Sequence, residues 1–203
     1  MVDPADITAF ALTSLLVELT PGPNMAYLAL VAATEGRRPG YAAVAGVALG
    51  LAIVGLLAAL GLATLIAASP LAFQALRWAG VAYLMWLAWE GWRGAERAEA
   101  ATAAGSPLSV WFRRGLITNL LNPKAAVFYV AVLPTFLSPA GGMPEAVTLS
   151  MVFVAVATFV HALIVTLSGF AQALLTDPPS ERRIRRALSV ALAGVAVWML
   201  WRT

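Results

Sequence analysis

Residues 12–34 read LTSLLVELTPGPNMAYLALVAAT, an apolar run cut near its middle by Thr20-Pro21-Gly22-Pro23-Asn24. A helix needs about 20 mostly apolar residues to cross a ~30 Å hydrocarbon core, and the run 5–34 is long enough to do so. Pro21 and Pro23 each remove an N–H and crowd the carbonyl four residues back, while Gly22 loosens the backbone between them. One proline kinks a helix; Pro-Gly-Pro breaks it. The stretch therefore predicts a membrane crossing made of two half-helices, with its interruption where no water can satisfy the backbone.

The rest of the chain agrees with a lipid setting. Its 203 residues are 61% hydrophobic and 11% charged, with a mean hydropathy of +0.84. An average soluble domain has roughly 25% charged residues, so a water-soluble globule of this composition would expose apolar patches everywhere. Nucleic-acid binders and soluble enzymes are excluded on that ground. The absence of cysteine and the single histidine, His161, exclude disulfides, thiolate metal sites and multi-histidine metal sites. No cofactor is expected.

Six segments have the length and polarity of spans: roughly 5–34, 41–68, 71–92, 115–137, 145–172 and 187–201. Between them lie Glu35 to Gly40, Ser69-Pro70, the polar stretch 93–114, Ser138 to Pro144, and Thr176 to Arg186. The first, third and fifth connections hold Arg37 and Arg38, then Arg93, Arg97, Arg113 and Arg114, then Arg182, Arg183, Arg185 and Arg186. The opposite side has only Arg77 and Arg202. The positive-inside rule then places those three loops in the cytoplasm and both termini outside. The amino terminus carries Asp3 and Asp6 rather than a basic leader, so the first helix is expected to stay.

Two correspondences suggest an internal repeat. Ala79-Gly80-Val81-Ala82 in the third segment recurs as Ala193-Gly194-Val195-Ala196 in the sixth, and the first break has a counterpart in Asn122-Pro123-Lys124 in the fourth. Three spans per half would insert the second half upside down, an arrangement found in transporters. The expected fold is thus all-α: six transmembrane helices as two inverted three-helix repeats, helices 1 and 4 broken near the midplane. The halves fall at about 1–93 and 113–203, joined by a cytoplasmic loop 94–112, and form a single transporter domain.

The breaks also carry the chemistry. Thr and Asn are good N-cap residues and Pro suits the first helical position, so Thr20-Pro21 and Asn122-Pro123 can each end one half-helix and start another. A half-helix N-terminus presents free N–H groups and about half a positive charge, for which a carboxylate is the natural partner. Lys124 adds a full charge, and Asn24, Asn119 and Asn122 add amides. The competing reading is a pair of packing kinks with local Asn caps. Glu18 and Lys124 are formal charges inside spans, at ~2.5–3.5 kcal/mol each by insertion scales. Glu18 suits a substrate ammonium, a coupling proton, or a structural pair with Lys124. His161 shares a helix face with Thr158, Ser168 and Gln172 and is either a packing residue or a proton relay. Gly46 and Gly50 allow close helix approach, and Trp86, Trp89, Trp92, Trp198 and Trp201 are expected as interfacial anchors.

Thr20-Pro21-Gly22-Pro23-Asn24, Gly115-Leu116 followed by Asn119-Leu120-Leu121-Asn122-Pro123-Lys124-Ala125-Ala126, Leu133-Pro134-Thr135-Phe136, and Gly80 to Leu84 together resemble the LysE/RhtB family of bacterial amino-acid exporters. The resemblance runs over essentially the whole chain. It departs at Thr135, where the family usually has Gln, and at Glu18, an acid to which the family gives no role, so the proton and ammonium contacts are read from the residues and not from the resemblance. It implies efflux of amino acids or similar zwitterions across the bacterial cytoplasmic membrane, driven by the proton motive force. The expected substrate-binding residues are Thr20, Pro21, Gly22, Pro23, Asn24, Asn119, Asn122, Pro123 and Lys124, with Glu18 and His161 for the proton or ammonium. The expected partners are a small zwitterionic amino acid, protons and the lipid bilayer; nucleic acid is excluded and a homo-oligomer left open. A channel, an exporter of another small solute and an intramembrane enzyme are the rival classes. The enzyme has least support, because no Asp lies deep inside a span and there is one His.

Overall fold

The computed structural model describes residues 4–61, 69–97, 106–138, 142–174 and 178–202. Secondary structure among them is helical throughout: α1 (Pro4–Leu19), α2 (Pro23–Thr34), α3 (Arg37–Ala59), α4 (Pro70–Arg97), α5 (Leu108–Leu120), α6 (Pro123–Val127), α7 (Gly142–Leu174) and α8 (Pro178–Arg202). The end of the second expected segment, 62–68, lies outside the described residues, as does the side chain of Gln172. α6 continues as a π-helical turn, Phe128–Val132, and a 3₁₀ turn, Leu133–Phe136. Pro134 lacks the N–H that would extend an α-helix, and the chain relaxes into these two local geometries around it.

Three helices are long and apolar enough to cross a membrane: α3, α4 over Pro70–Arg93, and α7 over Gly142–Phe170. Two bent pairs raise the number to five if each is one span: α1 with α2, bent by 63°, and α5 with the run Pro123–Phe136, bent by 50°. The sixth expected segment forms the latter part of α8, after Arg182, Arg183, Arg185 and Arg186. Of the expected connecting loop 94–112, residues 94–97 and 108–112 are helical, and 98–105 lie outside the described residues. Helix runs on to Arg97 and resumes at Leu108, so Arg113 and Arg114 are helical. Buried Trp111 and an ion pair from Arg114 to Glu90 at 2.6 Å hold that turn against α4.

Close approach of α3 and α5 organises the bundle. A Cβ on Gly46 would stand 1.9 Å from the Phe112 carbonyl oxygen, and one on Gly115 would stand 2.1 Å from that of Ala43. Gly50 receives Asn119 the same way, at 2.8 Å. The Gly46 and Gly50 spacing thus serves contact inside the bundle, as small residues do where backbones meet in lipid. α7 packs against α1, α2 and α3, and α4 packs along α8. Phe10, Phe128 and Phe153 are buried together, with Phe128 stacked on Phe153 at 3.7 Å between ring centroids. The outward side chains include Leu16, Leu71, Trp78, Phe159 and Val190, all exposed, an apolar coat suited to lipid rather than water.

One end of the bundle is tied by charge. Arg185 reaches from α8 to Glu35 at 2.7 Å and to the Thr34 carbonyl at 3.2 Å, covering the end of α2. Arg37 lies over the Phe170 ring at 3.7 Å. The first and fifth connections therefore share an end of the molecule.

Candidate functional site between two broken helices

At the first break the helix restarts two residues later than expected. α2 begins at Pro23, with Gly22 as the preceding N-cap residue at φ −161°, ψ 177° and no side-chain cap. The residue before a proline is pushed out of the helical region, so Gly22 cannot be helical and Pro21 cannot start a lasting helix. Thr20 instead closes the first half: its hydroxyl donates to the Val17 carbonyl. At the second break the expectation and the structure agree. Asn122 is the N-cap residue, its side-chain oxygen accepts from the Lys124 N–H at 3.0 Å, and Pro123 occupies the first helical position.

The two breaks meet. Lys124 Nζ donates to the Thr20 carbonyl at 2.9 Å, and its aliphatic stem passes beside Gly22, where a Cβ would stand 3.3 Å from Lys124 Cδ. Asn24 Nδ2 donates to Asn119 Oδ1 at 2.8 Å, joining the half-helix after the first break to the half-helix before the second. Glu18 faces the same junction, its Oε1 3.9 Å from Lys124 Nζ and its Oε2 3.2 Å from His161 Nε2. Every residue expected at a site from the sequence is thus within this region: Glu18, Asn24, Asn119, Asn122 and His161 are buried, Lys124 is partly so, and Thr20 and Pro21 are exposed.

Magnitudes suggest why the cluster is tolerated. At an effective dielectric of ~20 the Glu18–Lys124 attraction is about 4 kcal/mol, comparable with the ~2.5–3.5 kcal/mol of placing one charge at membrane depth. The pair offsets about one burial penalty, not two; His161 brings Nε2 to 3.2 Å from the carboxylate. Polar capacity is left over. Ser14 Oγ, Asn24 Oδ1, Asn119 Nδ2, Thr158 Oγ1 and both ring nitrogens of His161 are buried with no hydrogen-bond partner. Buried polar groups are normally paired, so these donors and acceptors have the capacity to bind a further polar group.

Sequence reasoning missed a second polar contact. Tyr129, in the π turn, donates its hydroxyl to the Leu51 carbonyl at 3.0 Å. Gly55 provides the space, since a Cβ there would stand 2.8 Å from that hydroxyl oxygen. The available signal was the tyrosine itself, whose hydroxyl needs a partner inside an apolar span. Thr135 lies at the surface and donates to the Val132 carbonyl at 2.7 Å, away from the junction.

The LysE type translocator family model matches residues 15–202. The chain is 35% identical to a homoserine/homoserine lactone efflux protein of Salmonella typhimurium over 164 residues, 80% of this chain and 77% of that protein. It is 33% identical over 145 residues to an uncharacterized membrane protein of Pseudomonas aeruginosa, covering 68% of this chain and 67% of the relative. A leucine efflux protein of Enterobacter sp. is 35% identical over 130 residues, 63% of this chain and 62% of that protein. No solved structure matches the chain. With both breaks inside a match that covers residues 15–202, the protein belongs to the LysE type translocator family.

Proposed function

We propose that this translocator exports an amino acid or a close analogue across the bacterial cytoplasmic membrane, driven by the proton motive force. The observation that carries the reading is the meeting of the two breaks, with Lys124 spanning them and Glu18 and His161 buried behind it. The efflux of homoserine, its lactone and leucine named for the relatives supports an amino-acid substrate. In this reading the Thr20 carbonyl holds the place of a substrate carboxylate on Lys124 Nζ. Asn24 and Asn119 offer their leftover amide atoms, Asn122 fixes the Lys124 backbone, and the N-terminus of α2 adds donors and positive potential. Pro21, Gly22, Pro23 and Pro123 create the breaks and let one half move against the other. Glu18, with His161 beside it, takes the substrate ammonium or the coupling proton.

The architecture completing this reading is six spans in two inverted halves, with α8 as the sixth and both termini outside. Helix pairing supports it. Exchanging the halves turns α3 against α5 into α7 against α1, maps α3 against α7 onto itself, and does the same for α4 against α8; all four pairs pack in this chain. The test is amino-acid retention in cells expressing wild type, Lys124→Ala or Asn122→Ala across a panel of amino acids and toxic analogues. Wild type is expected to lower the intracellular level of at least one, only while the proton gradient stands, and both variants to lose that effect. Export at the wild-type level by both variants would remove the site assignment.

A further inference from the structure

A polar cavity lies at the end of the bundle that the arginine distribution assigns to the cytoplasm. It is an open cleft of about 410 Å³ between α2, α4, α5 and α8, with Tyr27, Trp86, Trp89, Glu90, Trp111 and Arg114 among its lining residues. At ~30 Å³ per water the space corresponds to roughly a dozen waters, within the usual range for small-molecule sites. Two polar atoms here are unsatisfied. The Tyr27 hydroxyl belongs to a side chain only 1% exposed and has no hydrogen-bond partner. Glu90 gives Oε1 to Arg114 at 2.6 Å, and its buried Oε2 has none.

We propose that this cavity is a second zwitterion-binding site, which takes substrate from the cytoplasm before it reaches the junction of the broken helices. It rests on the proposed function for its ligand class, a free α-amino acid. Such a ligand needs an anion for its ammonium and a donor for its carboxylate at short range. Glu90 Oε2 supplies the first. The Tyr27 hydroxyl supplies the second, beside the Arg114 guanidinium, whose planar fork suits a carboxylate. Position joins the two sites: Tyr27 follows Asn24 on α2 by three residues, ~4.5 Å of helix rise. A ligand leaving Tyr27 is within about one helical turn of the Asn24–Asn119 contact.

The experiment is amino-acid titration of the purified full-length protein in detergent, read by intrinsic tryptophan fluorescence, since Trp86, Trp89 and Trp111 line the cavity. The probes are the twenty protein amino acids and homoserine, with the amide and the deaminated acid of any that respond. A saturable response that requires both the amino and the carboxyl group is expected. Tyr27→Phe and Glu90→Gln should each weaken it about tenfold or more, the scale of a lost hydrogen bond to a charged group. Lys124→Ala should keep it while losing export, which separates failure of this site from failure of the junction. No response to any probe, or unchanged affinity in the shape-preserving Tyr27→Phe variant, would overturn the proposal.

Discussion

Replacing Gly46 by alanine adds one methyl group at the closest helix contact and touches no residue of the candidate site. The new Cβ would stand 1.9 Å from the Phe112 carbonyl oxygen and 2.8 Å from the Leu116 nitrogen, both backbone atoms that cannot rotate away. An ordinary contact of ~3.5 Å requires α3 and α5 to separate by about 1.6 Å there. Overpacking of this kind costs ~1–3 kcal/mol and sometimes more; with backbone as the obstacle, the upper end is expected. At ~2–4 °C per kcal/mol for a chain of this size, melting in detergent should fall by roughly 5–10 °C. Export should fall too. Asn119 sits on the displaced helix and accepts from Asn24 at 2.8 Å, and half the displacement carries that bond past the ~3.2 Å limit of good geometry. The control is Gly194→Ala, an exposed position where a Cβ meets nothing within 4 Å. It should be neutral or gain up to ~1 kcal/mol of helix propensity. Thermal melting and cellular export, measured side by side, decide it: equal behaviour of the two variants would refute the close-packing account.

Glu18→Gln keeps the side-chain shape but removes the charge facing His161 and Lys124; proteoliposome export should fall about tenfold or more and lose its response to an imposed proton gradient. Wild-type flux and gradient dependence in that variant would remove Glu18 from the mechanism. In a double-mutant cycle, Asn24→Leu and Asn119→Leu should show a coupling of ~0.6–1.5 kcal/mol in unfolding from detergent, and additive losses would mean that the bond contributes nothing. Gly55→Ala should destabilise by ~1–3 kcal/mol, because its Cβ would meet the Tyr129 hydroxyl at 2.8 Å and Ser150 Cβ at 3.0 Å. An unchanged melting temperature would place Tyr129 elsewhere.

Local rules made the breaks legible. Pro21, Gly22, Pro23 and Pro123 act on their own backbone, so their effect does not depend on tertiary context, and the Asn122 cap needs only Pro123 and Lys124 beside it. Even there, competition between neighbours misled: Thr20 is a good cap by type, but Pro23 holds Gly22 extended and moves the restart beyond it. Gly46 and Gly50 marked close approach without naming the partner, because spacing along one helix carries no information about which helix comes to meet it. For the same reason Glu18 was visible as an expensive buried charge, whereas its pairing with His161 joins α1 to α7 and exists only after folding. The π turn was hidden in another way. Pro134 announces a disturbance upstream, but whether it is absorbed as a kink, a 3₁₀ turn or a π turn depends on packing, here on Phe128 against Phe153 and Tyr129 against Leu51. The arginines of 113–114 looked like loop because charge dominates composition; Trp111 and Glu90 supply the burial and the counter-charge that make them helical.

Counterflow through Lys124→Cys proteoliposomes, before and after alkylation with 2-bromoethylamine, addresses most directly whether substrate is held where the two broken helices meet. The chain has no cysteine of its own, so the reagent can be aimed at this one thiol, restoring an ammonium at nearly the length of lysine. Using the amino acid that the wild type exports, counterflow should drop to background in the thiol form and return in large part after alkylation. Wild-type counterflow in the unmodified variant, or no recovery once the ammonium is restored, would contradict the account.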